Sequence, residues 1–449
     1  MKLEKFKIKN YKKLVITVFA FLIGIVTGYI IFYQSYAYYE ENKNFDVING
    51  TVEDPGDVYF AYYIDGEISR EMPAQNTGYT LDSDKSNCNN NATVTWDNAT
   101  WEAKVNYRNY SATTNTRTKC TLYFNKTSKT VSTVLGNIEV NNYIPDFTKA
   151  ACDDEACESH EKGIYETTDY DGNPTYYYRG AVTNNYVKFA GYYWRIIRIN
   201  SNGSIRMIYD GTVAHANGDS SDDRRYSTAK FNNNDNDNMY AGYMYTANQV
   251  NGLTTSSNIK NLNDTFFTQK LSQYSSFFDN DAVFCGNRTI LNNQSGVGTA
   301  RIPTYYRGYL NVLEGTPSLA CQNVNDLYTT TSSKVGNKAL TYPIGLITAD
   351  EAMYAGYSGS VFDGTYNHQK SLPDNYLNIN QDYWTMTPAG FYNPYVSENL
   401  FMSVFIIYYL GGIDDVHLVN NYGLRPVINI KSNVTITGSG TMTDPYVVS

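Results

Sequence analysis

The chain has 449 residues, of which 42% are hydrophobic and 18% charged, with a formal net charge of −9. That length accommodates two or three domains with their own cores, and the composition excludes a disordered polyampholyte. Six Lys and one Glu occupy residues 1–13, so the net acidity lies in the rest of the chain. An acidic outer part lacks the basic face that phosphate neutralisation requires, and no nucleic-acid partner is expected.

Residues 1–13 read as a basic cytoplasmic tail and residues 14–33 as an uncharged, mostly apolar run. At helical rise that run spans roughly 30 Å, one bilayer core, and the lysines before it leave the amino end inside. A retained transmembrane signal-anchor is the expectation. The alternative is a cleaved signal peptide ending at Ser35-Tyr36-Ala37, although its apolar run would be long for that role. Either way the rest is exported, to a bacterial cell surface. Gly24 and Gly28 have helix-pairing spacing, but read more simply as incidental glycines.

Residues 38–127 read as a small all-β, sandwich-like stalk domain. Val58 to Ile64 is strand-like and ends on Asp65-Gly66, a hairpin-turn dipeptide. Thr93 to Trp96, Trp101 to Val105 and Cys120 to Phe124 alternate as half-buried strands do. Residues 128–150 show no period and read as a linker. The remainder, 151–449, reads as one domain of many short strands and few helices. Leu262, Phe266, Leu271, Tyr274 and Phe278 form one helical stripe. Thr348-Ala349-Asp350-Glu351 is a capping box before Ala352 and Met353, with Gly356 as the stop. Strand candidates fall at 187–200, 204–209, 383–387, 404–410 and 424–430. The pattern predicts an α+β fold.

All six Cys lie in the exported part, so disulfides are expected, with about fifteen pairings open. Proximity along the chain favours Cys88–Cys120, Cys152–Cys157 and Cys285–Cys321. Cys152 and Cys157 also sit among Asp153, Asp154, Glu155, Glu158 and His160, the one metal-like grouping. There is no CxxC pair, and no metal or other cofactor is expected. The Asx-rich run 232–238 lacks the glycine and closing glutamate of a calcium loop and reads as a flexible polar loop. Asp219, Asp222 and Asp223 beside Arg224 and Arg225 read as a solvated loop with local ion pairs.

Four motifs occur in order after residue 176. They are Tyr186-Val187-Lys188-Phe189-Ala190-Gly191-Tyr192-Tyr193-Trp194-Arg195-Ile196, Leu346-Ile347-Thr348-Ala349-Asp350-Glu351, Tyr383-Trp384-Thr385-Met386-Thr387-Pro388, and Tyr422-Gly423-Leu424-Arg425-Pro426-Val427-Ile428. Read locally, Val187, Phe189 and Trp194 are core positions of a strand pair. Arg425 offers a five-donor fork for fixing a loop. Together the motifs resemble a family of bacterial surface proteins whose domain is similar to C-type lectins and formylglycine-generating enzymes. The resemblance implies a C-type-lectin-like domain. The family's catalytic cysteines find no aligned counterpart, and the sugar- and calcium-binding loops of true lectins are missing.

In some proteins of that fold, the segment matching 391–421 is hypervariable and rewritten by a diversity-generating retroelement that mutates adenines, mostly in Asn codons. Here Tyr392, Tyr395, Ser403, Ile406, Tyr408, Tyr409, Asp414, Asp415, His417 and Leu418 look like substituted Asn codons beside Asn393, Asn399, Asn420 and Asn421. Tyr offers large contact area at low entropy cost, and Asp and Asn offer adaptable hydrogen bonds. Tyr392, Tyr395, Tyr408, Tyr409, Asp414, Asp415 and His417 are therefore the expected ligand-binding residues, facing an unknown protein or glycan outside the cell.

No serine-hydrolase elbow, zinc-protease helix or phosphate loop is present, and the chain is read as no enzyme. A cell-surface ligand-binding or adhesion protein is the first reading. An extracellular enzyme, of the formylglycine-generating type or a glycan hydrolase, is the second. A structural envelope protein without a specific ligand is the third.

Overall fold

A computed structural model describes residues 58–74, 79–97, 100–106, 118–126, 129–131, 139–151, 161–291, 297–298, 302–359, 374–392, 400–409 and 411–449. The expected signal-anchor at 14–33, Cys152, Cys157 and Tyr395 lie outside them. The chain divides into two compact units, Met1–Tyr59 with Tyr110–Thr118, and Phe60–Asn109 with Lys119–Ser449. The second holds nearly all the described elements.

The expectation of an α+β fold is overturned. The described residues are mostly β, 38% strand and 15% helix, in several sheets. Many strands have only two or three residues, such as Phe284–Cys285, Leu327–Tyr328 and Ile344–Gly345. Such pieces are too short to show a period of two, so they pass as loop in the sequence. No helix among the described residues is long and apolar enough to cross a membrane.

Near the start, Val58–Ile64 and Glu67–Ser69 form an antiparallel pair. Asp65 and Gly66 take φ of 50° and 89° between them, the left-handed pair that a two-residue hairpin turn requires. Strand Thr118–Lys126 lies at the centre of this five-stranded sheet. Cys88 and Cys120 face each other across it and form a disulfide. Trp96, on the separate hairpin Thr93–Asp97/Glu102–Asn106, packs edge-on against Phe124 and Trp101.

A ten-stranded sheet carries the main core. It includes Tyr186–Phe189, Tyr192–Ile199, Ile205–Tyr209 and Val427–Ile430 in antiparallel register, with the last strand, Tyr446–Val448, parallel to the first of these. Lys129–Thr130, inside the segment read as a linker, forms a short strand on the edge Thr435–Thr437. A seven-stranded sheet contains Tyr383–Tyr392, Phe401–Ile407, Gly412–His417 and Asn421–Leu424. Inner faces of both sheets join one continuous core around Trp194, Trp384, Met207 and Ile428.

The helix predicted from the apolar stripe starts at Asn258, with the Ser257 hydroxyl accepting from the Lys260 amide. It runs to Phe266, widens into a π-turn over Phe267–Leu271 and tightens into a 3-10 turn over Ser272–Phe277. Phe266, Leu271 and Phe278 still reach the core. The capping box forms as read: Thr348 Oγ1 accepts from the Glu351 amide at 3.0 Å, and Glu351 Oε2 accepts from the Thr348 amide at 3.0 Å. A third helix, Arg307–Glu314, closes on Gly315 at φ 63°.

Three of the four motifs supply a residue to two buried ionic hubs: Glu351 to the first, Arg195 and Arg425 to the second. Glu351 lies between Arg206, whose Nε is 2.5 Å from Oε1, and Arg198, whose Nε donates to Oε1 at 3.0 Å. Burial alone pushes the Glu351 carboxyl up, but the two guanidiniums outweigh it and hold it below the usual range. In the second hub, Asp210 Oδ1 accepts from Arg224 Nη2 at 2.7 Å and Arg425 Nη2 at 2.8 Å, with Arg195 Nη1 3.9 Å from Oδ2. Arg425 also donates to the carbonyls of Tyr209 and Leu377, so its fork fixes a loop as read. Arg224 is fully buried rather than part of a solvated loop.

Candidate functional site

The register of the seven-stranded sheet decides which expected residues can act together. Phe401–Ile407 pairs antiparallel with Gly412–His417, with Ser403 opposite His417, Phe405 opposite Asp415 and Ile406 opposite Asp414. Opposed residues share a face and successive residues alternate. Asp415 and His417 therefore share one face with Ser403, and Asp414 takes the other. On the far side, Gly390 opposes Ser403 and Tyr392 opposes Phe401, which adds Tyr392 to the first face.

That face is a polar-centred aromatic cluster. The Tyr392 hydroxyl donates to Asp415 Oδ2 at 2.8 Å. Burial raises the Asp415 carboxyl above its usual range, and burial followed by the Asp415 charge pushes the Tyr392 hydroxyl far up. The proton stays on the tyrosine. His417 stacks on Phe401 with ring centres 3.4 Å apart, and its Nδ1 is 3.1 Å from Asp235 Oδ2. Tyr305 and Tyr309 sit 5.2 Å and 5.9 Å from the Tyr392 ring. Tyr392 is only 9% exposed, so it is the floor of the cluster. The His417 side chain is 42% exposed, with Phe401, Tyr305 and Tyr309 half-buried around it.

Tyr408 and Tyr409 lie elsewhere, at the turn that joins the two strands. The Gly411 amide donates to the Tyr408 carbonyl at 2.7 Å, and the Tyr409 amide donates to Asp382 Oδ1 at 2.7 Å. Their rings meet edge-on at 4.6 Å, and Tyr409 is 41% exposed. Desolvation, then the hydrogen bond and charge of Tyr409, push the Tyr408 hydroxyl up to about 12. The structure thus splits the expected set: Tyr392, Asp415 and His417 come together, whereas Tyr408 and Tyr409 stand at the opposite end of the strand pair. Ser403, Ile406 and Leu418 are fully buried, so they serve the core rather than a ligand.

Tyr305, Tyr309 and Phe401 are not marked as site residues by the sequence, and Asp235 is marked only as part of the Asx-rich run, not as a partner of His417. The Asx-rich run is ordered by contacts, not a free loop. Asp235 bonds His417, Asp237 caps a 3-10 turn and accepts from the Gly298 amide, and buried Asn238 donates to Thr304. No grouping of His, Cys, Asp and Glu suited to a metal occurs among the described residues.

Disulfides Cys88–Cys120 and Cys285–Cys321 are present. Such bonds persist in oxidising compartments, which is consistent with an extracellular protein. No protein-family model, curated protein or solved structure matches the chain.

Proposed function

We propose that the chain is a non-catalytic ligand-binding or adhesion protein of the bacterial cell surface, held in the membrane through residues 14–33. Its ligand face is the aromatic cluster around Asp415. The observation that carries this reading is the assembly of Tyr305, Tyr309, Phe401 and His417 over a Tyr392–Asp415 hydrogen bond, half-open to solvent on a rigid sheet. Aromatic rings backed by fixed polar groups supply contact area without a large ordering cost. The motif resemblance to bacterial surface proteins supports it, as does the position of the face. Much of the 391–421 segment proposed to be diversified forms these strands, and its outward residues are the ones free to vary. The ligand is a protein or glycan outside the cell.

The test displays the full chain on cells and measures adhesion and glycan-array binding. Replacing Phe401 and His417 together with Ala is expected to lower binding at least tenfold. A folded double variant that binds its partner unchanged overturns the assignment of the face.

A further inference from the structure

Three times in the core, a buried carboxylate, an aromatic ring and a guanidinium are packed together. Arg425 Nη2 bonds Asp210 at 2.8 Å, with its Cζ 4.8 Å from the centre of the Tyr383 ring. Arg288 Nε bonds Asp326 at 2.6 Å, with its Cζ 5.7 Å from the Tyr328 ring. Arg206 pairs with Glu351 and lies 4.4 Å from the Phe284 ring. In each, the face of the ring attracts the cation while the carboxylate balances its charge.

Two of those three components recur at Asp415. Its carboxylate accepts from the Tyr392 hydroxyl at 2.8 Å. Tyr305, Tyr309 and Tyr392 form three mutually touching rings beside it, with centres 5.1, 5.2 and 5.9 Å apart. Among the described residues, no Lys or Arg pairs with Asp415 or lies over these three rings. His417 is the basic side chain on this face, and its Nδ1 turns to Asp235 at 3.1 Å. A half-buried carboxylate without a cation is costly, and burial raises the Asp415 carboxyl accordingly. Asp415, Tyr305 and Tyr309 all keep part of their surface in water, so a group from outside can reach them. The chain beyond residue 13 is acidic as a whole, which draws in a basic partner rather than an acidic one.

We propose, resting on the assignment of the ligand face above, that this face takes an arginine side chain from a basic protein partner. The guanidinium lies on Tyr305 and Tyr309 and donates to Asp415, repeating across an interface the arrangement the protein builds in its own core. Arginine suits the site better than lysine, because a planar and weakly hydrated cation can stack on a ring and bond a carboxylate together. A neutral glycan brings no counter-charge to Asp415, which favours the protein ligand.

Calorimetry on the purified full-length chain tests this with acetyl-Gly-Arg-Gly-amide and with the same peptide carrying citrulline, which keeps the planar end group but not its charge. The arginine peptide is expected to bind, and the citrulline peptide about tenfold more weakly. Asp415→Asn can still accept from Tyr392 and is expected to weaken the arginine peptide by about tenfold as well. Tyr309→Leu provides a second variant should Asp415→Asn misfold, and is also expected to weaken it. Glu166→Gln removes the same charge from an exposed position of the strand Gly163–Thr168 and is expected to change nothing. Equal binding of the two peptides, an equal effect of Glu166→Gln, full-strength binding by folded Asp415→Asn and Tyr309→Leu, or no peptide binding at all overturns the proposal. The two assignments fail separately. If the Phe401 and His417 double variant loses cell adhesion while arginine and citrulline peptides bind alike, the face stands and the arginine reading falls. If the double variant adheres normally while the arginine peptide still depends on Asp415, the arginine site stands and the adhesion face lies elsewhere.

Discussion

Replacing Asp210 with Asn probes the second ionic hub with little change in shape. Asp210, Arg195, Arg224 and Arg425 are all fully buried. One carboxylate faces three guanidiniums, and its Oδ1 accepts from Arg224 Nε at 2.9 Å, Arg224 Nη2 at 2.7 Å and Arg425 Nη2 at 2.8 Å. An Asn amide oxygen can still accept from these donors, so the loss is one of charge. Turning charge-assisted bonds into ordinary ones costs about 1 kcal/mol each. Leaving the guanidiniums without a counter-charge brings the loss into the range of about 3–5 kcal/mol seen when a buried ion pair is broken. Urea unfolding followed by near-UV circular dichroism reads it as a lower midpoint at an unchanged slope. A loss under about 1 kcal/mol refutes the reasoning. It would mean that neutral acceptors carry the cations: the Asn185 and Asn217 side chains and the Val182 carbonyl for Arg195; the backbone carbonyls of Ala216, Asp219 and Asn378 for Arg224; those of Tyr209 and Leu377 for Arg425.

Two further outcomes are expected. Removing the Cys285–Cys321 bridge by a double change to Ser reopens a loop of 36 positions and should cost about 4 kcal/mol in the chain-entropy model, read as a fall in urea midpoint under non-reducing conditions. Asp219 is held down at about 2, first by the hydrogen bond from His215 and then by that from Ser221. A lowered carboxyl stabilises the fold above its unfolded value of roughly 4 and loses that contribution as pH falls toward 2. The stability difference between wild type and Asp219→Asn should therefore shrink across that window. A difference that stays constant from pH 5 to pH 2 would show that the contact does not form.

Much of the local structure is legible in single stretches of chain. Asp65-Gly66 allows little but a tight turn, Thr348 to Glu351 caps a helix whatever it packs on, and the alternation at 93–96 and 101–105 exposes strands with one wet face. Pairing cysteines that are near in sequence closes a smaller loop than pairing distant ones and loses less chain entropy, so proximity already favours Cys88–Cys120 and Cys285–Cys321. The fold class is not legible in the sequence because alternation fades when a strand is wet on neither side: all of Tyr383–Tyr392 is buried, and the two-residue strands have no period to show.

Partner choice across long separations was decided by tertiary structure. Nothing near Glu351 announces that Arg198 and Arg206 will close on it, and nothing near Asp210 announces Arg425. The site follows the same rule. A chain-order reading could list Tyr392, Asp415 and His417 with Tyr408 and Tyr409, because all lie in one segment. Only the register of two strands, with side chains alternating between faces, separates the first group from the second and brings Tyr305, Tyr309 and Asp235 from distant parts of the chain to the first.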